Sequence, residues 1–471
     1  MSETLSCDVA VIGAGTAGLS AERAARSAGA QTLLIDPTFA GTTCALAGCM
    51  PSKLLIAASR AAHSARNAHD FGIAVADVDV DDAAVMKRVR DERNRFARLT
   101  REGSIADVPD NNRVKGHAHF VSDTRLELDS GQQIEAGSVV IATGSRPTMP
   151  DSFAALGDRA ITSDDLFELR ELPARIAVIG SGPIGMELAQ ALSRLGVATA
   201  LFERSDRLAG IVCDTVHGAV EAMIRRDLTV NLGVETTPQR TDNGVMIAWK
   251  GATQGETEFD RVLVATGRTP NVERLALEAT GLELNEGGVP VHNRETMQCG
   301  ESQIFIAGDA ADDIPILHEA SHDGTIAGRN AAAAPVSLTT KRLVPFTLTF
   351  TDPPIARIGT TDGADSIVAT ADYSDQGRAR VENANHGCAT LYADKTKGTL
   401  IGAALCVPGG EHLAHMLAWA IESEATASDL LNMPIYHPTL EEGLEGALRE
   451  ICSGTPIAVR EDRDRAEPAG V

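Results

Sequence analysis

The chain has 471 residues, 43% hydrophobic, 23% charged and 3% aromatic, which fits two to four globular domains with cores of Ala, Val, Leu and Ile. Its formal net charge of −23 argues against a nucleic-acid partner. No apolar run approaches the roughly 18 residues of a membrane helix, and Met1-Ser-Glu-Thr-Leu-Ser-Cys7 lacks the marks of a signal peptide, so no membrane and a cytoplasmic address are expected.

Asp8-Val-Ala-Val-Ile-Gly-Ala-Gly-Thr-Ala-Gly18 predicts a short apolar strand that breaks into glycines. An Ala-rich helix to about Gly29 and a strand over 31–36 complete a βαβ opening. The pattern returns at Arg175-Ile-Ala-Val-Ile-Gly-Ser-Gly-Pro-Ile-Gly185, with a helix to Gly196 and a strand ending at Glu203. Ser138-Val-Val-Ile-Ala-Thr-Gly-Ser-Arg-Pro147 closes the first copy, and Val262-Leu-Val-Ala-Thr-Gly-Arg-Thr-Pro270 closes the second. This internal duplication reads as two nucleotide-binding domains of related design. Gln303-Ile-Phe-Ile-Ala-Gly-Asp309 is a further strand ending in Gly-Asp, followed by a helix to about Ala334. From Leu343 the chain turns β-rich, as in Pro345-Phe-Thr-Leu-Thr-Phe350, with helices near 411–423 and 440–452. The expected organisation is 1–150, 151–270, 271–342 returning to the first domain, 343–460 and a disordered tail over 461–471.

Gly13-x-Gly15-x-x-Gly18 lies between strand and helix, where its three glycines serve a tight turn, close approach of a pyrophosphate and helix–strand packing. The helix N-terminus adds N–H groups and a positive dipole end, and Asp36 is placed to accept from a ribose. Gly180-x-Gly182-x-x-Gly185 repeats the pattern with Glu203 as its acid. An acid there favours NAD(H), whereas Arg204 and Arg207 leave NADP(H) open as the second choice.

Cys7, Cys213, Cys299, Cys388, Cys406 and Cys452 are scattered, but Cys44-Ala-Leu-Ala-Gly-Cys49 is a close pair followed by Met50-Pro51-Ser52-Lys53. On an undistorted helix, residues five apart have Cα atoms about 8–9 Å distant, beyond the roughly 7 Å limit of a disulfide. A bond between them therefore needs a bent backbone, which Gly48 permits. Pro51 suits the first turn of a helix, so Cys49 falls near a helix N-terminus, where a thiolate is favoured. Redox chemistry is the leading reading, with zinc and two buried thiols as rivals. The near pairs His117/His119 and His412/His415 lack accompanying ligands, so no metal site is expected.

Gly41-Thr-Thr-Cys44-(x4)-Cys49-Met-Pro-Ser-Lys53 resembles the signature of the class I pyridine nucleotide–disulfide oxidoreductases, which include glutathione reductase, mercuric reductase and dihydrolipoamide dehydrogenase. The likeness runs through both glycine loops, both Ala-Thr-Gly segments, Gly308-Asp309 and His437-Pro-Thr-Leu-Glu-Glu442. It implies an α/β fold of two Rossmann-like domains, for FAD and NAD, plus a C-terminal α+β dimerisation domain. FAD would meet Gly13, Gly15, Gly18, Asp36, Thr43, Lys53, Thr143, Gly144, Gly308 and Asp309, with Asp309 on the ribityl chain. NAD would meet Gly180, Gly182, Gly185, Glu203 and Gly267. Lys53 would pair with Glu187 near the flavin. Cys49 would face the flavin as a thiolate, and Cys44 would exchange with substrate. His437, oriented by Glu442, would act as base toward the disulfide of the partner subunit, implying a homodimer.

The match has departures: Leu46 stands where the family usually has Asn, Thr42 where it usually has Gly, and Asp36 where Glu is commoner. A lone Cys452 replaces the vicinal C-terminal pair of mercuric reductases, and Gly210 stands where glutathione reductases would place a second arginine. Glu203 and the His-Pro-Thr-Leu-x-Glu ending look most like the dihydrolipoamide dehydrogenase branch. The implied reaction is dihydrolipoamide plus NAD+ to lipoamide plus NADH, on a small molecule or a lipoyl-domain dithiol. Alternatives are an NAD(P)H-dependent reductase of another disulfide, a quinone or a metal, and a non-enzymatic redox-sensing or assembly flavoprotein.

Overall fold

Short runs that are apolar at every position, rather than at alternate ones, suit parallel strands buried on both faces. The computed structural model describes residues 4–456, so the expected tail over 461–471 lies outside the described residues. In it the second half of β1 (Leu5–Ile12), from Val9, and the buried part of β2 (Thr32–Asp36) are such runs, joined by α1 (Thr16–Ser27), with Val9 beside Thr32 and Ile12 beside Ile35. On its other edge β1 runs parallel to β3 (Gln133–Ile141). Ile304–Ile306 joins the C-terminal half of β3 in parallel, while Arg125–Leu128 turns back antiparallel on its first half. Ala118–Phe120 and Arg113–Lys115 complete a seven-stranded sheet.

The helix Leu317–Ala333 lies against α1 with almost no space between backbones. A Cβ on Gly324 or Gly328 would stand 2.1 Å from the carbonyl oxygen of Ala17 or Ala21. Two compact units emerge. One comprises the residues up to Leu54, Lys87–Thr148 and Gly267–Arg342, and the other Leu55–Met86, Met149–Thr266 and the residues from Leu343. The cysteines lie on α2 (Thr43–Leu46) and at the start of α3 (Cys49–Arg66).

The second unit rebuilds the same design. There β4 (Arg175–Ile179) leads through α4 (Pro183–Arg194) to β5 (Ala198–Phe202), and β6 (Arg261–Val264) flanks β4 in parallel. Thr229–Asn231 and Ala160–Ile161 close a five-stranded parallel sheet, and an antiparallel meander over Val234–Arg240, Val245–Gly251 and Gln254–Phe259 follows. From Phe346 a five-stranded antiparallel sheet forms, with helices Gly410–Glu422 and Glu445–Gly454 packed on it. Ile358, Leu391, Leu405, Leu417 and Ile451, all wholly buried, fill that contact. The architecture is the expected α/β fold with its C-terminal α+β part. The helix Asp82–Thr100, the meander and the strands over 113–128 were not anticipated from the sequence.

The glycine loops of the two units agree almost atom for atom. Gly13 and Gly180 take φ of +107° and +101°, and a Cβ on them would stand 2.3 and 2.4 Å from the carbonyl oxygens of Ala142 and Ala265. A Cβ on Gly18 or Gly185 would meet the Gly13 or Gly180 carbonyl oxygen at 1.8 or 2.0 Å. Gly15 and Gly182, in contrast, are the N-caps of their helices, and nothing lies within 4 Å of where a Cβ would stand. The chain itself demands the first and third glycines; only a molecule outside the chain demands the second. Gly185→Ala is therefore expected to destabilise the protein by roughly 3 kcal/mol, through overpacking against rigid backbone. Gly182→Ala should keep the melting temperature and raise only the KM for the nicotinamide nucleotide. Calorimetry alongside steady-state kinetics separates the two; a melting loss in Gly182→Ala would contradict the assignment.

Candidate functional site

The cysteine loop is built by capping and a forced break. Gly41 takes φ +131°, and the Thr42 hydroxyl accepts the Ala45 N–H at 3.3 Å, capping α2. The residue that departs from the family signature thus has local work as the N-cap, while Thr43 is exposed. Ala47 and Gly48 both donate to the Thr43 carbonyl, at 2.9 and 2.8 Å, which ends α2 before α3 begins at Cys49. The bend falls at Gly48 as expected, but close approach rather than a left-handed φ demands glycine: a Cβ would stand 3.2 Å from the Thr43 carbonyl oxygen. A hydrogen bond joins Cys44 and Cys49. That bond and burial push the Cys44 thiol well above its ordinary range, against the pull of Lys53. Cys49 sits on the first turn of α3.

Around the first glycine loop, Asp36 Oδ2 accepts the Ala14 N–H at 3.0 Å, and Oδ1 accepts the Thr38 and Phe39 N–H groups at 2.9 and 2.7 Å. The expected ribose acid thus also pins the loop, and a carboxylate retains lone pairs for a further donor. Gly308 turns at φ +66°, and a Cβ there would meet that of Ala17 at 2.9 Å. Next to it, Asp309 Oδ2 accepts the Ser145 hydroxyl at 2.6 Å. Arg268 lies 3.7 Å from the same oxygen and donates to Ser145 Oγ at 2.7 Å. The residues after the two Ala-Thr-Gly segments pair with each other, Arg268 with Pro147 and Pro270 with Ser145. This contact between the repeat ends, and the roles of Ser145 and Arg268, escaped the sequence reading, although both segments were marked as equivalents. Gly144 and Gly267 take φ of +69° and +126° at these turns.

The described residues fit the two nucleotides. Gly15 and Gly182 are open cradles at uncapped helix starts, and the buried Thr143 hydroxyl has no hydrogen-bond partner among the described residues. In the second loop Glu203 Oε2 accepts the Ser181 N–H and hydroxyl at 2.7 and 2.8 Å, and Oε1 the Ser205 N–H at 2.9 Å. Arg207 is turned toward Asp214, at 2.5 Å, and away from service as a phosphate ligand; Arg204 is exposed. Glu187, buried on α4, accepts the Phe350 N–H at 2.8 Å, a partner the sequence did not suggest. Lys53 is half-buried on α3 and donates to Ser52 Oγ at 3.4 Å. Among the described residues, no group of three or more His, Cys, Asp or Glu could hold a metal ion, and no helix is long and apolar enough to cross a membrane.

His437 and Glu442 meet in the second unit. His437 Nδ1 lies 2.8 Å from Glu442 Oε1, and Oε2 accepts the Thr439 N–H at 2.8 Å. Burial works against ionisation of Glu442, yet the Thr439 N–H and His437 hold its carboxyl below the ordinary range. The loop is fixed from beneath: the Tyr373 hydroxyl donates to the Leu440 carbonyl at 2.9 Å, and Gln376 to that of Thr439 at 2.7 Å. With 83% of its side chain exposed, His437 turns Nε2 away from the carboxylate, a ring held on one side and open on the other.

Comparison with known proteins follows the same lines. The pyridine nucleotide-disulphide oxidoreductase family model matches residues 7–324, and the dimerisation-domain model of that family matches residues 345–448. The dihydrolipoyl dehydrogenase of Halobacterium salinarum is 32% identical over 456 residues, covering 92% of this chain and 94% of the relative. That of Bacillus subtilis is 29% identical over 473 residues, covering 96% and 97%. A mercuric reductase of Staphylococcus aureus is 30% identical over 452 residues, covering 93% and 81%. Among solved structures, LpdA of Mycobacterium tuberculosis superposes with a TM-score of 0.81 at 23% identity, covering 94% of this chain and 99% of that one. The HOCl-induced flavoprotein disulfide reductase RclA of Escherichia coli gives 0.80 at 22%, with the same coverage. With its paired cysteines, its two nucleotide loops and a dimerisation domain, the chain belongs to the pyridine nucleotide-disulphide oxidoreductases, enzymes that use FAD and NAD(H).

Proposed function

We propose that this enzyme oxidises dihydrolipoamide, free or on a lipoyl domain, with NAD+ as final acceptor, and runs reversibly. The observation that carries this reading is the His437–Glu442 pair, with Nδ1 tied to a carboxylate at 2.8 Å and the rest of the ring exposed. Such a base waits for a thiol that arrives from outside. Relatives of nearly equal length bear the dihydrolipoyl dehydrogenase name, which supports the same substrate.

His437, oriented by Glu442, takes the proton of one substrate thiol, and the thiolate attacks Cys44 of the oxidised pair. The Cys44–Cys49 bond breaks and Cys49 leaves as thiolate. The second substrate thiol then displaces Cys44 from the mixed disulfide, releasing lipoamide; its proton passes to the departing Cys44 thiolate, and His437 gives the first proton up to solvent. The two cysteines now hold the electron pair as a Cys44 thiol beside a Cys49 thiolate. FAD, held by the residues named next, would supply the two-electron relay between that reduced pair and NAD+. The residues proposed to hold FAD are Gly13, Gly15, Gly18, Asp36, Thr43, Lys53, Thr143, Gly144, Gly308 and Asp309. Those proposed for NAD are Gly180, Gly182, Gly185, Glu203 and Gly267. Lys53 and Glu187 complete the proposed catalytic set. The homodimer places His437 against the cysteine pair of the partner subunit, so each site is shared.

One observation favours a second reading, NAD(P)H-dependent reduction of another disulfide, a quinone or a metal. Leu46 puts an apolar side chain between the cysteines, and one relative is named a mercuric reductase. Steady-state turnover with dihydrolipoamide, oxidised glutathione, quinones and Hg(II) decides between the two.

Two predictions follow for the mechanism. Anaerobic titration with NADH should raise a long-wavelength thiolate-to-flavin band that Cys49→Ser abolishes and Cys44→Ser keeps; survival of the band in Cys49→Ser would overturn the division of roles. His437→Gln should lower dihydrolipoamide turnover by about 10²–10⁴-fold, the usual share of a positioned base. The NADH-reduced variant should still show the band. Full turnover in His437→Gln would remove the assigned base.

A further inference from the structure

Behind the Gly308–Asp309 turn lies a buried charge cluster that the reaction does not use. Glu319 and Asp323 are one turn apart on the helix Leu317–Ala333, and they are 2% and 3% exposed. Two carboxylates at i and i+4 repel each other, and burial worsens their position. Arg342, from the end of the same unit, spans both: its Nη2 lies 2.5 Å from Glu319 Oε2 and 2.6 Å from Asp323 Oδ1. The contact with Asp323 is an ion pair without hydrogen-bond alignment, so Oδ1 makes no hydrogen bond, while Oδ2 accepts the Gly308 N–H at 3.3 Å. Arg342 also donates to the Arg294 carbonyl at 3.3 Å, which anchors the cation from behind.

Gly308 sits where three backbones converge. A Cβ there would meet Ala17 of α1 and Ala320 of the long helix at 2.9 and 3.1 Å, so its position is fixed on two sides by apolar contact. Its N–H is the polar group at this junction, and Asp323 is the side chain that receives it. The orientation of this peptide sets the direction in which the next residue, Asp309, leaves the turn.

We infer that Asp323 is a positioning residue for the flavin: clamped by Arg342, it fixes the Gly308 N–H and thereby aims the Asp309 carboxylate. This rests on the proposed contact between Asp309 and the ribityl chain. An acceptor oxygen is needed at 323, and Arg342 is needed to keep two buried carboxylates side by side.

The test is the rate at which purified holoenzyme releases FAD on dilution, read as free-flavin fluorescence, with melting measured in excess FAD. Asp323→Leu, which removes the acceptor, should release FAD about tenfold faster, in line with loss of one buried hydrogen bond to a charged group. Asp323→Asn, which retains an acceptor oxygen, should stay within about threefold of the native rate. Asp323→Ser, too short to reach Gly308 yet small and polar, is the second variant if Asp323→Leu does not fold, and should also release FAD faster. Asp309→Ala reports on the underlying contact. Native release from Asp323→Leu or Asp323→Ser beside fast release from Asp309→Ala would overturn the inference alone. Native release from Asp309→Ala would remove both the inference and the flavin contact on which it rests. Fast release from Asp323→Asn would show that charge rather than the acceptor matters, and would also overturn the inference.

Discussion

In both nucleotide-binding units a backbone carbonyl stands where a side chain would otherwise be. Ala142 presses its oxygen against Gly13 and Ala265 against Gly180, while the carbonyls of those glycines press against Gly18 and Gly185. With no side chain between them, strand, turn and helix start come within backbone distance of each other. The N-terminal N–H groups of the helix are then left facing outward with no side-chain cap. Asp36 and Glu203 complete the frame by binding the peptide N–H of Ala14 and Ser181, just past the first glycine. The acid therefore holds the loop shape as well as offering lone pairs to a ribose. One contact, repeated, gives each unit a rigid anion cradle.

A similar economy governs the cysteine loop. An unbroken helix would hold Cys44 and Cys49 too far apart to exchange electrons, and a free loop would cost orientation. The compromise is a four-residue helix capped by Thr42, ended by two N–H groups converging on the Thr43 carbonyl, then a new helix starting at the second cysteine. The sulfurs become unequal through position. Cys44 is half-buried and hydrogen-bonded to its neighbour, while Cys49 sits at the positive end of α3. The imidazole–carboxylate pair is treated in the opposite way. Glu442 is held by the Thr439 N–H, and the loop by Tyr373 and Gln376, so that the ring itself is left open.

What the sequence showed plainly were features whose causes are local. The glycine loops, the strand-end acids, the bend at Gly48 and the helix start near Pro51 each depend on a few consecutive residues. The paired repeat ends, Arg268 on Ser145 and Asp309, Phe350 on Glu187 and Tyr373 on Leu440 join residues 67 to 163 positions apart where their hydrogen bonds are direct. No periodicity records such contacts. The helix Asp82–Thr100 went unread for another reason. It is mostly polar, and its one start signal, the Asp81 carboxylate accepting the Ala84 N–H at 2.9 Å, is a short motif in an acidic stretch. Thr42 seemed a departure from a familiar signature; its role as a cap emerged only once the helix end was seen.

Charge gives these local devices a common purpose. A chain of net charge −23 that binds two pyrophosphates gains nothing from its overall field, which repels both. Two of its nearby cations are also committed, Arg207 to Asp214 and Arg268 to Ser145 and Asp309. Attraction must come from groups that carry no net charge and are fixed before the ligand arrives: peptide N–H groups and the dipoles of α1 and α4. Fixed dipoles attract only at short range and in one orientation, so the loop must be held to a fraction of an ångström. This explains why so much structure, from the carbonyl contacts at Gly13 and Gly180 to the carboxylates of Asp36 and Glu203, serves to immobilise a few peptide groups. It also explains why a strand-end acid is tolerable beside an anion: it binds N–H groups already turned toward it and leaves those of the helix start for the phosphates.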